Sequence, residues 1–155
     1  MAIFIMKSLD YLNEKNISYK EIYLDEIPKS AKDVERLFGC PLYQVLKTVV
    51  LIGDKPIIAV IQGDKRVSFQ KIKEYYNFDS IKMANPNEIK ELTGYSIGGV
   101  TPFGIDNFDY ISILDEHVLN ENKINIGSGK AEIGIELKST DLKKIWKGEI
   151  FDIIE

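Results

Sequence analysis

The sequence of 155 residues contains one cysteine and one histidine, and this scarcity excludes several kinds of site. Cys40 has no second cysteine with which to form an internal disulfide. Cys40 and His117 supply too few ligands for a zinc site unless carboxylates distant in the sequence contribute, so we expect no metal and no cofactor. A nucleophilic scheme that needs a histidine would have to use His117. We expect His117 to be exposed or structural, and Cys40 to be a small buried hydrophobe.

Long hydrophobic runs and an excess of positive charge are also missing. The apolar opening AIFIM is too short for the core of a signal peptide, and no run approaches the roughly 18 residues of a membrane span, so we expect a cytoplasmic protein with no membrane contact. The formal net charge of -4 argues against a free-standing nucleic-acid binder. A local basic rim stays open as an alternative to a set of solvated helix faces. Its candidate residues lie in the middle of the chain: Lys65, Arg66, Lys71, Lys73, Lys82 and Lys90.

The hydrophobic and charged patterns predict an α+β fold. A hydrophobic content of 45% suits one globular domain, which we expect to comprise residues 1–155. Helices are predicted at Met6, Leu9 and Leu12 and in SAKDVERLFG, SFQKIKEYYN, NPNEIKELTG and STDLKKIW. Strands are predicted in ISYKEIYL, TVVLI, IIAVI, DYISIL, KINIG, EIGIEL and EIFDII. Because the strands cluster around hairpins, we expect a mixed, largely antiparallel sheet, or a barrel-like sheet, flanked by helices.

Two strand regions carry more specific predictions. TVVLI and IIAVI flank GDKP, which predicts a hairpin whose two strands are buried on both faces. In EIGIEL, the apolar Ile133, Ile135 and Leu137 alternate with residues that leave one face in contact with water. On the last predicted helix, we expect Trp146 to lie in the core rather than in an interface.

The stretch GYSIGGVTPFG, residues 94–104, has five glycines or prolines in eleven residues and no charge. A run this dense indicates that backbone atoms come close to something else. It lacks the ending of a Walker loop and the spacing of a dinucleotide fingerprint. The functional interpretation is that the backbone NH groups of Gly98, Gly99 and Val100 point into a pocket and bind a carbonyl oxygen or a phosphate, with Pro102 stiffening the loop. The alternative is a plain connection between a helix and a strand.

The loop follows a helix with nearly complete terminal signals. In NPNEIKELTG, Asn85 can cap the helix, Pro86 suits its first position, Glu88 can reach back to the cap, and Gly94 ends it. We therefore expect the loop to begin at the end of this helix.

Lys47 stands at the start of an apolar strand, in QVLKTVVLI. Burial of an ammonium without a partner is costly, so one interpretation is a lysine at the strand end that extends to water. The other is that Lys47 faces a pocket, where its charge attracts an oxyanion or phosphate, and that Thr48 points to the opposite face of the strand.

Three segments, VLKTVVL, TGYSIGGVTPFG and INIGSGKAEIGIELKSTDL, together resemble the YbaK/ProX family of aminoacyl-tRNA editing proteins over essentially the whole chain. That family includes the editing domain inserted in bacterial prolyl-tRNA synthetases. The resemblance implies a trans-acting deacylase that uses water to hydrolyse the ester of a mischarged tRNA. It implies that Lys47 holds the 3′ end of the substrate and that Gly98 and Gly99 donate to the scissile carbonyl. Further substrate contacts are expected at Leu24, Thr48, Val100, Pro102, Phe103, Gly127, Ser128 and Gly129.

Two positions depart from the branch of the family that removes cysteine from proline tRNA. That branch typically has a tyrosine at the end of the first strand and a serine before the paired glycines of the late turn. Leu24 and Gly127 align with these positions, while Tyr23 and Ser128 stand next to them and could substitute. The amino acid removed, whether alanine, cysteine, serine or another small residue, and its carrier, whether tRNA(Pro) or another tRNA, therefore stay open.

The expected partners are the aminoacyl-tRNA 3′ end and, for additional affinity, an aminoacyl-tRNA synthetase or an elongation factor. One alternative is a non-catalytic module that binds aminoacyl-tRNA, a nucleotide or a synthetase through the same pocket. A third and weaker hypothesis is a thiol enzyme that uses Cys40.

Overall fold

The structure, a computed structural model, describes residues 7–96, 98–106 and 108–155. The helices are α1 (Lys7–Glu14), α2 (Ala31–Phe38), α3 (Phe69–Tyr76), α4 (Pro86–Thr93) and α5 (Ser139–Ile145). The strands are β1 (Lys20–Tyr23), β2 (Leu46–Ile52), β3 (Pro56–Gln62), β4 (Lys82–Met83), β5 (Ile111–Asp115), β6 (Lys123–Gly127), β7 (Ile133–Lys138) and β8 (Glu149–Phe151). Short 3₁₀ helices occupy Leu42–Gln44 and Glu116–Asn120. The predicted helix start at Met6 lies outside the described residues.

The strands form a five-stranded sheet in the order β4-β2-β3-β5-β8 and a three-stranded sheet in the order β1-β7-β6. All pairings in the smaller sheet are antiparallel, as are β2 with β3 and β2 with β4. By contrast, β5 pairs in parallel with both β3 and β8. A parallel bridge between Val45 and Asn125 links the two sheets. The predicted α+β fold with a mixed, largely antiparallel sheet is confirmed, and the strands of the described residues close no barrel.

Strand β3 lies at the centre of the core, and the predicted hairpin with β2 is present. Every residue of β3 after Pro56 is buried. The expectation that β2 is buried on both faces was wrong, because Lys47 is exposed and Thr48 and Val49 are only partly buried. A cavity borders β2 at these residues, so no packed element covers them there.

The burial of strand β7 differs from the pattern predicted by the alternation of apolar and polar residues in its sequence. Ile135 and Leu137 are buried as expected, but Gly134 on the other face is buried as well. The Phe38 ring of α2 lies so close to Gly134 that a Cβ at this position would overlap it. The predicted wet face is therefore covered in part by helix α2.

Helix α4 has the predicted ends and leads directly into the glycine-rich loop. The Asn85 side chain accepts a hydrogen bond from the Glu88 backbone NH at 2.8 Å, and the Glu88 carboxylate accepts one from the Asn85 NH at 3.0 Å. Pro86 is the first helical residue, and Gly94 ends the helix in the left-handed conformation. This capping box positions the point at which the loop leaves the helix.

Two further expectations concern the outer parts of the molecule. Trp146 is partly buried and packs against a core cluster that includes residues of α1, β6 and β7, in agreement with the expected place at the core. It follows α5 directly as the C-terminal cap residue.

Within the part of the chain that the structure describes, no helix has the length and apolar character needed to cross a membrane.

Asn85→Ala should lower the free energy of unfolding by about 1 kcal/mol, because it removes one bond of the capping box and weakens the other. Urea denaturation monitored by circular dichroism measures the change. Asn87→Ala is the matched control, since Asn87 is exposed in the same helix turn and its side chain makes no hydrogen bond with a described residue. Equal losses in the two variants would contradict a capping role for Asn85.

Candidate functional site

A cavity of about 560 Å³ opens between β2, α2, the loop after α4 and the turn that joins β6 to β7. We call it the loop cavity. The predicted site residues that line it are Lys47, Thr48, Gly98, Val100 and Gly127. The structure therefore brings together residues from all three segments that carried the family resemblance.

Backbone contact between the loop and the turn gives the cavity its shape. A Cβ at Gly127 would lie 2.6 Å from the Val100 carbonyl oxygen, which is closer than atoms can approach. A Cβ at Gly99 would lie 3.0 Å from the Gly129 carbonyl oxygen. The glycines are needed because the two backbones pack directly against each other.

The loop presents fewer free donors than the sequence predicted. We expected the NH groups of Gly98, Gly99 and Val100 to point into a pocket, but the Gly99 NH donates to the Ser96 carbonyl oxygen at 3.0 Å. Gly98 has a φ of 86°, a conformation that favours glycine. Among hydrogen bonds between described residues, none uses the NH of Gly98 or Val100. These two NH groups are the ones left for a ligand.

Thr48, one of the expected substrate contacts, places a polar atom in the cavity wall. Its Oγ1 is buried and has no hydrogen-bond partner among the described residues. Leu46 and Val50, which share its face of β2, pack in the core clusters next to β6 and α4, so Thr48 lies on the loop-cavity face. A buried hydroxyl without a partner is costly, and a ligand in the cavity would satisfy it.

Lys47 lies at the junction of the loop cavity and a second cavity on the other face of β2. Partial burial lowers the pKa of the Lys47 ammonium, and the charge of Arg66 adds to that shift, while Asp64 opposes it. Among described residues, Lys47 has no ion-pair partner within salt-bridge distance. Lys47 is exposed and also borders both cavities, so both interpretations of this residue agree with the structure.

The turn between β6 and β7 is held by Ser128. This residue is buried, and its Oγ lies 2.6 Å from the Ile133 carbonyl oxygen and accepts a bond from the Lys130 NH at 3.2 Å. The Ser8 hydroxyl donates to the Ser128 carbonyl oxygen at 2.5 Å. Ser128 thus supports the turn from behind, and it does not line the loop cavity.

Several predicted substrate contacts lie elsewhere. Leu24 is outside the cavity lining, and its NH donates to the Glu132 carbonyl oxygen at 2.9 Å. Pro102 and Phe103 line a different cavity, of about 250 Å³. Phe103 is a core residue with 3% exposure, and its ring stacks on Tyr11. The sequence analysis expected all three residues to contact the substrate, but none of them lines the loop cavity.

Part of the cavity wall was not predicted as part of a site. The segment before α2 and the inner face of that helix supply Ile27, Pro28, Val34 and Phe38. The apolar face of α2 was visible in the sequence, but it has the same pattern as a face that packs on a core. Helical periodicity alone could not distinguish the two.

Cys40 shows no sign of activation. Its Sγ lies 3.5 Å from the Asn125 side-chain nitrogen, and burial raises the pKa of the thiol. A raised pKa keeps the thiol protonated and weakly nucleophilic. The residue does not line the loop cavity, so the geometry gives no support to a thiol enzyme.

Two carboxylates approach the Nδ1 of His117: Asp115, its near neighbour in the sequence, at 3.1 Å, and Asp152, which is distant in the sequence, at 3.9 Å. Asp115 is fully buried, and its two oxygens accept bonds from the backbone NH groups of Ile153 and His117. Asp152 in turn forms an ion pair with Lys71. These contacts make the cluster an anchor for the C-terminal segment.

Comparison with known proteins gives matches over most of the chain. A family model described as "Aminoacyl-tRNA editing domain" matches residues 26–145. The proline–tRNA ligase of Lactobacillus acidophilus is 28% identical over 148 residues, which make up 94% of this chain and 26% of the ligase. EbsC of Enterococcus faecalis, described as a proposed Cys-tRNA(Pro)/Cys-tRNA(Cys) deacylase, is 25% identical over 92% of this chain and 88% of EbsC. The chain thus spans about a quarter of the ligase's length and most of EbsC.

The fold is shared with solved structures. The crystal structure of a proposed trans-editing enzyme for prolyl tRNA synthetase matches with a TM-score of 0.85 and 23% sequence identity. The match covers 96% of this chain and 95% of the other. At this level of identity the likeness establishes the fold.

Gly127→Ala should lower the free energy of unfolding by about 1–3 kcal/mol, because the new Cβ meets a backbone oxygen of Val100 that cannot move without displacing the loop. Urea denaturation measures the loss. Gly53→Ala serves as the control, since its Cβ would meet the side chain of Phe78, whose ring can shift. A loss at Gly127 no larger than the loss at Gly53 would argue against close packing of loop and turn.

Lys47→Met should raise the melting temperature at pH 7 by about 1–2 °C, because the variant removes a partly desolvated charge. The pKa of Lys47 is lowered in the folded state. At a pH between that lowered pKa and the pKa of the unfolded chain, the unfolded chain therefore binds more protons than the folded chain. Wild-type stability therefore gains on the variant, and the difference should shrink as the pH approaches about 10.4. Differential scanning fluorimetry from pH 7 to 10 tests this. A variant that is less stable than wild type at pH 7 would contradict it.

Proposed function

The chain belongs to the aminoacyl-tRNA editing domain family, and from this membership we propose that it acts in trans to hydrolyse the ester of mischarged tRNA. Members of the family are deacylases. The substrate we propose carries a small amino acid such as alanine, cysteine or serine, with tRNA(Pro) as one candidate carrier. The reaction adds water to the ester carbonyl and releases the amino acid and a tRNA with a free 3′ end.

One observation carries the proposal: residues that line a single cavity carry polar groups of three kinds that have no partner among the described residues. They are the NH groups of Gly98 and Val100, the hydroxyl of Thr48 and the ammonium of Lys47. Unpaired polar groups in one pocket are typical of a site that waits for a ligand. NH donors suit a carbonyl or oxyanion, and an ammonium suits an anionic nucleotide end.

The chemistry needs no nucleophilic side chain. An aminoacyl ester is already activated, so a positioned water can attack its carbonyl carbon. The carbonyl oxygen then gains negative charge, and the NH groups of Gly98 and Val100 would stabilise it. One such donor contributes about 3 kcal/mol to catalysis. When the tetrahedral intermediate collapses, the bond from carbon to the ribose oxygen breaks and that oxygen takes up a proton.

Lys47 and Thr48 would position the substrate from opposite faces of β2. The ammonium of Lys47 would hold the terminal nucleotide, and the Thr48 hydroxyl would bond either the substrate or the attacking water. Both residues are within the same cavity as the loop donors. Gly127 contributes by its lack of a side chain, which allows the Val100 carbonyl to approach the turn.

The apolar side of the cavity would face the amino acid. Val34, Phe38 and Ile133 lie on this side, so a small side chain of low polarity fits better than a charged one. Such a wall separates side chains that differ by one methylene by only about 1–3 kcal/mol. The wall therefore fits a group of small amino acids and does not choose among them.

The acidic surface bears on how the substrate would be recruited. With a net charge of -4, the protein would bind mainly the tRNA end, and a synthetase or an elongation factor would supply further affinity. A deacylase of this kind acts where tRNA is charged, which is the cytoplasm.

A deacylation time course on alanyl-, cysteinyl- and seryl-tRNA, each with proline and cognate tRNA, tests the proposal. Wild type should release at least one of the amino acids, and Lys47→Ala should lower kcat/KM for it by about 100-fold through loss of substrate positioning. Thr48→Val should also lower it while keeping the fold, because the Thr48 hydroxyl makes no hydrogen bond within the described protein. Lys144→Ala is the control, since Lys144 is exposed and lines neither cavity at Lys47.

Full activity of folded Lys47→Ala would overturn the role given to that residue. Saturable binding of a non-hydrolysable aminoacyl-adenosine, with no release from any substrate in the panel, would instead identify a non-catalytic binding module. Isothermal titration measures that binding.

A further inference from the structure

A second cavity, of about 640 Å³, lies on the face of β2 opposite the loop cavity. We call it the cationic cavity, because its charged lining consists of Lys47, Arg66 and Lys73 with Glu155 as the acidic member. Three positive charges against one negative charge stand out in a chain whose net charge is -4. The charged side chains that line this cavity are thus mainly positive, in contrast to the net charge of the whole protein.

The structure separates the six residues of the predicted basic rim into two groups. Four have partners: Lys65 with Asp64, Lys71 with Asp152, Lys82 with Glu88, and Lys90 with the Gly94 carbonyl oxygen. The two that remain, Arg66 and Lys73, form no salt bridge with any described residue, and both line the cationic cavity. The interpretation as solvated helix faces fits the first group, while the second group is available to an anion.

Most of the remaining lining is an apolar floor, and the uncharged polar residues Ser68 and Gln70 complete the lining. The floor consists of Val49, Ile61, Val67, Phe69, Ile81 and Met83. Met83 is 49% exposed, which is unusual for a methionine beside a core strand. A groove with positive charges and an apolar, partly aromatic floor matches the way proteins bind single-stranded nucleic acid: the charges contact phosphates and the floor contacts bases.

The two cavities meet at the edge of β2. Both are lined by Lys47, Val49 and Met83. On the edge of β2 away from β3, strand β4 pairs with Leu51 and Ile52, and β6 packs beside β2 and forms a bridge with Val45. No described strand pairs with residues 46–49 on that edge, a length of about 13 Å. A chain with its end in the loop cavity can thus pass Lys47 into the cationic cavity.

We propose that the cationic cavity binds the single-stranded nucleotides that precede the terminal adenosine of the tRNA 3′ end. Arg66 and Lys73 contact their phosphates, and the floor at Phe69 and Met83 contacts a base. This assignment rests on the proposed function, because it places the esterified adenosine in the loop cavity. The continuity between the cavities favours a nucleotide chain over an acidic peptide, which would have no reason to extend to the loop donors.

The first test measures binding of a fluorescently labelled CCA trinucleotide by anisotropy at several salt concentrations. The double variant Arg66→Gln/Lys73→Gln should bind about tenfold more weakly than wild type. The slope of log K against log salt should fall in magnitude by about 1.4, since each phosphate contact to a single strand contributes about 0.7. Lys144→Gln is the matched control, and circular dichroism checks that each variant is folded.

The second test compares kcat/KM for aminoacyl-tRNA with that for an aminoacyl-adenosine ester, which lacks the preceding phosphates. The ratio of the two should fall about tenfold in the double variant. Unchanged trinucleotide binding and salt slope, or equal losses on the two substrates, would overturn the assignment. Preferential binding of a polyglutamate peptide by the same residues would overturn it as well.

The two proposals fail in different ways. A wild type that binds CCA through Arg66 and Lys73 but hydrolyses neither substrate would refute the proposed function and support the binding assignment. A wild type that hydrolyses both substrates, with a double variant that does so equally well, would refute the binding assignment and support the function.

Discussion

The contact between the loop after α4 and the β6–β7 turn is the constraint on which the candidate site depends. At Gly127 and at Gly99 the two backbones approach so closely that a side chain would force them apart. In the loop held against the turn, the Gly99 NH donates to the Ser96 carbonyl oxygen, while the NH groups of Gly98 and Val100 have no partner among the described residues. The glycines therefore have two effects. They allow the loop to pack against the turn, and this packing fixes the positions of the NH groups in the loop.

Features of the fold that depend on neighbours in the chain could be predicted from the sequence. The β2–β3 hairpin and the capping box at Asn85 are set by local chemistry, and both are present. The parallel pairing of β5 with β3 and β8 joins segments separated by long connections, and no local signal marks it. The burial of β2 was misjudged because hydrophobic residues in a strand do not indicate whether a packed element or a cavity lies over them.

The site was predictable in its parts and less so in its arrangement. Motif positions in three distant segments led to one cavity, because the resemblance covers the whole chain. Within each segment, however, neighbouring residues differ in direction: Gly127 lines the cavity, while Ser128 turns away to support the turn. Phe103 follows the loop motif in sequence but packs in the core. Which side of the backbone a residue occupies is decided by tertiary contacts, which a motif does not encode.

The position of Lys47 explains why an apolar strand carries a charge at its start. Burial lowers the pKa of its ammonium, so the charge is unfavourable in the ligand-free protein. Asp64 offsets part of that cost, and an arriving negative charge would offset more, at the point where the loop cavity meets the cationic cavity. An ester at one side and phosphates at the other would both lie within reach of this single cation. The acidic net charge would then limit binding elsewhere on the surface, so that attraction to nucleic acid would be concentrated where the proposed chemistry takes place.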